Sequence, residues 1–108
     1  MKIVWPKILT QQPRLILEEA GYHEFLDPNT GKTSYVQRIG REFYPRYHLY
    51  INRFDPHAQT PVCEMDIHID QKQASYEGHT AHSGEYTGPL VEEEAQRLVR
   101  WLAYYSSQ

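Results

Sequence analysis

The chain has little of what covalent cross-linking or membrane insertion requires. Cys63 is the single cysteine among 108 residues, so no disulfide forms within the chain. No apolar run approaches the roughly 20 residues of a bilayer-spanning helix. Residues 1–6 lack the long apolar centre of a signal peptide. We therefore predict a cytoplasmic protein without a membrane partner, in which Cys63 is a small core residue.

The chain also lacks a strong excess of charge and the common zinc signatures. Its 11 lysines and arginines stand against 14 aspartates and glutamates, which gives a net charge of −3. Nucleic acid is therefore a partner that the net charge does not favour. Paired cysteines and the helical His-Glu-x-x-His motif are both missing. A function must come from residues that the fold brings together, and six histidines are the most conspicuous material for it.

What the chain does contain is a regular order of amphipathic segments. Apolar residues at helical spacing predict a first helix over residues 10–20 and a last helix that begins at Pro89. Alternating residues between turn signals predict four strands between the helices, over residues 22–27, 32–39, 43–53 and 62–70. We predict one α+β domain over residues 1–108. It would consist of a helix, four antiparallel strands and a helix, with both helices packed on one face of the sheet.

The fourth predicted strand has the most regular alternation. Its apolar residues, from Cys63 to Ile69, occupy one face, while its carboxylates and one imidazole occupy the other. Since the two helices cover only one face of the sheet, we expect the polar face to stay solvated. If the third and fourth strands pair, that face carries His48, Tyr50, Asp66 and His68.

A metal site is our first interpretation of these residues. His68 on the strand, with His79 and His82 on the long loop that follows, would supply imidazole nitrogens. Asp66 would supply a carboxylate oxygen, with Glu85 as the alternative. Zinc or another divalent transition metal accepts such a donor set. A structural metal and a catalytic metal would use the same residues, and a catalytic metal would activate water against an ester, an amide or a phosphoester.

Metal-free acid–base chemistry is the alternative. His48 and His68 would exchange protons with a substrate near neutral pH. Arg46, Arg41 or Lys72 would hold a phosphate, and Tyr44 or Tyr50 would stack on a base. The order helix, strands, helix, with Gly21 before the first strand, resembles small RNA-binding domains, such as the double-stranded-RNA-binding fold, and HicA-type toxin ribonucleases. This resemblance implies RNA as the partner or substrate, and it covers only the order of elements. HicA-type toxins are basic, with a glycine-rich approach to their histidine, and this chain has neither feature, so no residue role is carried over.

A non-catalytic interaction module is the third interpretation. Tyrosine and arginine are enriched in protein interfaces, and Arg46 and Tyr50 lie on the predicted open face. The sequence leaves open whether a homodimer would form through this face or through an edge of the sheet. The candidate catalytic residues are His48, His68 and Glu85. The sequence leaves open the substrate, the oligomeric state and the order of the strands in the sheet.

Overall fold

The computed structural model describes residues 1–71, 84–85 and 87–106. Among these residues, neither helix combines the length and the apolar composition needed to cross a bilayer. In chain order, the elements are β1 (Lys2–Trp5), α1 (Pro13–Glu19), β2 (His23–Leu26), β3 (Thr33–Arg38), β4 (Arg46–Asp55), β5 (Val62–Asp70), β6 (Gly84–Glu85) and α2 (Pro89–Tyr104).

The strands form one antiparallel sheet in the order β1-β5-β4-β3-β2. The short strand β6 also pairs with β5, beside Ile69 and Asp70. The α+β class is confirmed, but the predicted set of four strands between two helices is incomplete. The prediction missed β1, which precedes α1 and pairs with β5 so that Ile3 lies opposite Met65. A segment of four residues is too short for an alternating pattern to identify it as a strand. It forms a strand because the edge of β5 is free to pair with it.

Element boundaries follow local chemistry. The predicted strand over residues 62–70 coincides with β5. The predicted strand over residues 43–53 begins later, at Arg46, because Pro45 has no backbone N–H to give to a sheet. The first helix begins at Pro13 rather than at Thr10, since proline fits the first helical turn and fits the helix interior poorly.

The core lies on one face of the sheet. Both helices contribute their buried side chains to a single cluster with the apolar face of the central strands, as expected. Burial of this apolar surface is the main driving force for the fold. The fully buried members include Ile16 and Leu17 of α1, Val91, Leu98 and Leu102 of α2, and Leu49, Met65, Ile67 and Ile69 of the sheet.

A buried ion pair joins α2 to the rest of this core. Glu94 is 5% exposed and accepts hydrogen bonds from the Tyr22 hydroxyl (2.6 Å) and from Arg97 Nε (2.7 Å). The terminal nitrogen Nη2 of Arg97 donates to the carbonyl oxygen of Ala20 (2.8 Å) and to Oε1 of Gln37 (2.9 Å). One arginine side chain therefore connects α2 to the end of α1 and to β3.

Candidate functional site

The candidate site lies on the sheet face opposite the helices, where β4 and β5 run side by side. Their register places His48 opposite His68 and Arg46 opposite Asp70. The sequence left open whether these two strands pair, and the structure shows that they do. Because alternate residues of a strand share a face, the four side chains point to the same side of the sheet.

The carboxylate of Asp70 is the centre of this group. Its Oδ2 lies 3.0 Å from Nδ1 of His48 and 3.2 Å from Nε of Arg46. Its Oδ1 lies 2.7 Å from Nε2 of His68. The two imidazole rings are 5.0 Å apart between their centroids. One carboxylate thus receives two imidazoles and a guanidinium, and we call Arg46, His48, His68 and Asp70 the Asp70 cluster.

The charge of Asp70 follows from these contacts. Partial burial by itself would raise the pKa of this carboxyl group. The hydrogen bonds from His48 and His68, together with their charges, outweigh that effect and hold the pKa of Asp70 well below its usual range. Asp70 is therefore an anion at neutral pH. Since a carboxylate only accepts hydrogen bonds, the two imidazole nitrogens that face it carry protons in the metal-free protein.

The other nitrogen of His48 is held by a buried serine. Nε2 of His48 lies 2.8 Å from Oγ of Ser34, a residue of β3 that is 1% exposed. The serine hydroxyl also approaches the carbonyl oxygen of Phe25 at 3.4 Å. Because a hydroxyl both donates and accepts, Ser34 satisfies either protonation state of Nε2. The ring of His48 is therefore fixed at both of its nitrogens.

Aromatic rings enclose the two histidines. Tyr50 lies 4.7 Å from the ring of His48 and stacks on His68 with the centroids 6.3 Å apart. The rings of Phe25 and His48 are nearly perpendicular, with their centroids 6.3 Å apart. We expected a solvated face, but His48 and His68 are only 8% and 9% exposed. The expectation fails here because the rings and the carboxylate bury one another, and no buried side-chain nitrogen or oxygen in the described part of the chain lacks a hydrogen bond.

Three members of the Asp70 cluster can hold a metal ion. One donor atom each from His48, His68 and Asp70 lies within 4.8 Å of the other two. Ligands at about 2.0–2.1 Å from a tetrahedral zinc ion are about 3.3 Å from one another. The widest gap would therefore have to close by at most about 1.5 Å. Two imidazoles and one carboxylate also form a donor set used by catalytic zinc and by non-haem iron.

The structure brings together only part of the predicted ligand set. His68 belongs to the Asp70 cluster, whereas Asp66 is engaged by Nδ2 of Asn52 at 2.5 Å. His79 and His82 lie outside the described residues. Glu85 is described only through its backbone, which pairs with Ile69.

Two residues outside the predicted ligand set complete the group. The sequence predicts proton transfer for His48, and it does not place Asp70 among the metal ligands. The signal for Asp70 was present in the sequence, because it continues the polar face of the strand two residues beyond His68. Asp66 lies equally far from His68 on the other side, and spacing alone does not choose between the two carboxylates.

No protein-family model, no curated protein and no solved structure matches the chain. Its chemistry is inferred from the residues of the site.

Proposed function

We propose that the chain binds a divalent transition metal, zinc in the first instance, through His48, His68 and Asp70. The observation that carries the proposal is the convergence of Nδ1 of His48 and Nε2 of His68 on the two oxygens of one carboxylate. A metal ion would replace the protons that these nitrogens share with Asp70. Neutral imidazole and carboxylate are the forms that ligate metals. Each imidazole would carry its one remaining proton on the ring nitrogen that does not bind the metal, and any second proton would pass to solvent.

Contacts outside the three ligands support the proposal. A metal-bound histidine ordinarily gives its other N–H to an acceptor, and Ser34 offers such an acceptor to Nε2 of His48. A metal-bound carboxylate is ordinarily held by a second group, and Arg46 holds Oδ2 of Asp70. Oδ1 of Asp70 would then face the metal.

Three protein ligands would leave a coordination position for water or substrate. Zinc sites with three protein ligands and an open position are typical of hydrolases, because the metal lowers the pKa of its bound water. The proposed reaction class is therefore metal-assisted hydrolysis of an ester, an amide or a phosphoester. That a further ligand comes from His79, His82, Asp66 or Glu85 stays a prediction. A fourth protein ligand in the open position would make the metal site structural.

Elemental analysis and melting of purified, untagged protein test the metal proposal. We expect one zinc per chain and a melting temperature that falls on chelation. Zinc at 100 times its dissociation constant stabilises a protein by about 2.7 kcal/mol. For a domain of about 100 residues this corresponds to a rise of roughly 10–20 °C in melting temperature.

Matched variants locate the site. His48→Asn, His68→Gln and Asp70→Asn should each abolish the zinc-dependent rise, whereas His57→Gln, which changes an exposed histidine outside the cluster, should retain it. His79→Gln and His82→Gln decide whether the predicted loop histidines take part. Wild-type protein that holds no zinc and melts at the same temperature with and without it contradicts the proposal.

Proton transfer without metal is a second candidate, favoured by one observation. His48 and His68 share Asp70, so a single carboxylate orients two rings that are 5.0 Å apart. Such a pair would supply the general base and the general acid of a phosphodiester cleavage. RNA cleavage that survives chelator and disappears in His48→Ala and in His68→Ala would support this candidate. Cleavage that needs the metal would refute it.

A further inference from the structure

We infer that Arg46 forms an oxyanion subsite beside the Asp70 cluster, so that the ligand of this centre carries a phosphate or carboxylate group. The inference rests on the proposed function in one respect: the anionic ligand would lie beside the proposed metal ion. Its own basis is the state of the Arg46 side chain, which is unusual for an arginine on a sheet surface.

Arg46 is buried without being fully engaged. The residue is 7% exposed, and its Nε donates to Oδ2 of Asp70 at 3.2 Å. Within residues 1–71, 84–85 and 87–106, no hydrogen bond involves its two terminal nitrogens. No buried side-chain nitrogen in that part of the chain lacks a partner, so these terminal nitrogens must lie at the small remaining opening to solvent. A guanidinium group has five N–H donors, and four of them are on these terminal nitrogens.

Aromatic rings position the guanidinium without using its donors. Its central carbon lies 5.3 Å from the ring centroids of Phe25 and Phe43, and 4.8 Å from that of Tyr44. Rings at these distances attract the cation and exclude water, but they leave the planar set of N–H groups available. A fixed, planar, desolvated guanidinium fits the paired oxygens of a phosphate or a carboxylate. Phe43 is 54% exposed, so these three rings, which we call the ring cage, border on solvent.

Charge in the centre favours an anionic ligand. With both imidazoles neutral, as metal ligands are, the charges of Arg46 and Asp70 cancel. A divalent cation held by Asp70 and two neutral imidazoles would raise the net charge to about +2, and an anion would compensate it at a partly desolvated site. Because Asp70 contacts both Arg46 and the imidazoles, an oxyanion on Arg46 would lie next to the metal position.

Calorimetric titration of phosphate and of acetate into the full chain, at constant ionic strength, tests the subsite. The proteins are wild type, Arg46→Gln, Arg46→Lys and the control Arg53→Gln, which changes an exposed arginine of the same strand. Each is titrated after zinc loading and after chelation, and its zinc content is measured. Because Arg46 also holds Asp70, Arg46→Gln should bind zinc more weakly and is therefore loaded at a saturating zinc concentration. Under that condition we expect it to lose at least tenfold in anion affinity. Arg46→Lys should recover part of the loss, and Arg53→Gln should match wild type.

The outcomes separate the two proposals. Wild-type protein that takes up no zinc contradicts the proposed metal site, while anion binding that Arg46→Gln then loses still supports the subsite. Equal anion affinity in wild type and Arg46→Gln, or no anion binding by wild type, overturns the subsite. Loss of zinc together with unchanged anion binding in Arg46→Gln overturns it as well, and leaves Arg46 as a positioning residue for Asp70. Binding of phosphate alone would indicate a phosphoryl ligand, and comparable binding of acetate would indicate a carboxylate.

Discussion

Replacing Tyr22 with phenylalanine removes one hydroxyl from the buried contact between α2 and the start of β2. Tyr22 is 1% exposed, and its hydroxyl donates to Oε2 of Glu94 at 2.6 Å. Burial raises the pKa of Tyr22 far above its usual value, and the negative charge of Glu94 adds to the effect, so the hydroxyl stays protonated. The bond is therefore a neutral donor on a buried carboxylate.

The loss of stability in Tyr22→Phe can be estimated from the hydrogen bonds that Glu94 keeps. A hydrogen bond to a charged group contributes about 1.5–3 kcal/mol. In Tyr22→Phe, Oε2 of Glu94 keeps the hydrogen bond from a terminal nitrogen of Arg97 at 2.8 Å. We therefore expect Tyr22→Phe to lower the free energy of unfolding by about 1.5–2 kcal/mol. Glu94→Ala leaves both the hydroxyl and the guanidinium without their carboxylate, and should lower it by about 3–5 kcal/mol.

Urea denaturation of a double-mutant cycle measures the coupling. In the Glu94→Ala background the hydroxyl has lost its acceptor, so adding Tyr22→Phe should cost nothing or should stabilise the protein. Tyr104→Phe, which removes a hydroxyl from a residue that is 77% exposed, is the control and should stay within about 0.5 kcal/mol of wild type. Additive losses from Tyr22→Phe and Glu94→Ala would refute the reasoning, because they would mean that the two groups do not stabilise each other.

Two further predictions concern Gly21 and Cys63. Gly21 has φ of +103°, and an added Cβ would lie 2.6 Å from Nε2 of Gln37, whose Oε1 is held by Arg97. Gly21→Ala should therefore lower the free energy of unfolding by about 1–3 kcal/mol in urea, and more than Gly31→Ala, where the added Cβ meets open space. Burial raises the pKa of the Cys63 thiol from 9.0 to about 11, so a disulfide-exchange reagent at pH 8 should react with it only after unfolding. Between these two pKa values the folded thiol keeps a proton that the unfolded thiol loses. Its contribution to stability is therefore full below about pH 9 and is lost as the pH rises to about 11. The loss of stability at alkaline pH should be smaller in Cys63→Ala.

The polar face of β5 could be predicted from the sequence because period-two alternation needs no knowledge of the rest of the fold. The same rule applied to β4 predicts that His48 and His68 share a face once the two strands pair. The strands do pair, with His48 opposite His68. The choice between Asp66 and Asp70 could not be predicted, since each lies two residues from His68. Register decides it: Asp70 lies opposite Arg46, whereas Asp66 lies opposite Tyr50.

The burial of Arg46 could not be predicted from the sequence either. Its ring cage comes from β2 and from the segment just before β4, which meet only in the folded protein. A pattern rule treats each strand residue as facing core or solvent, and so it predicts an exposed arginine on a polar face. Long-range packing of this kind leaves no periodic trace in the chain.

The contacts of α2 also bear on how the chain folds during its synthesis. This helix is translated after every strand of the sheet, yet it supplies Glu94 to Tyr22 and Arg97 to the carbonyl oxygen of Ala20. A nascent chain that still lacks α2 therefore displays an apolar sheet face and a tyrosine without its carboxylate. Such a surface is prone to aggregation. The apolar face of the sheet is therefore fully covered only after α2 has left the ribosome.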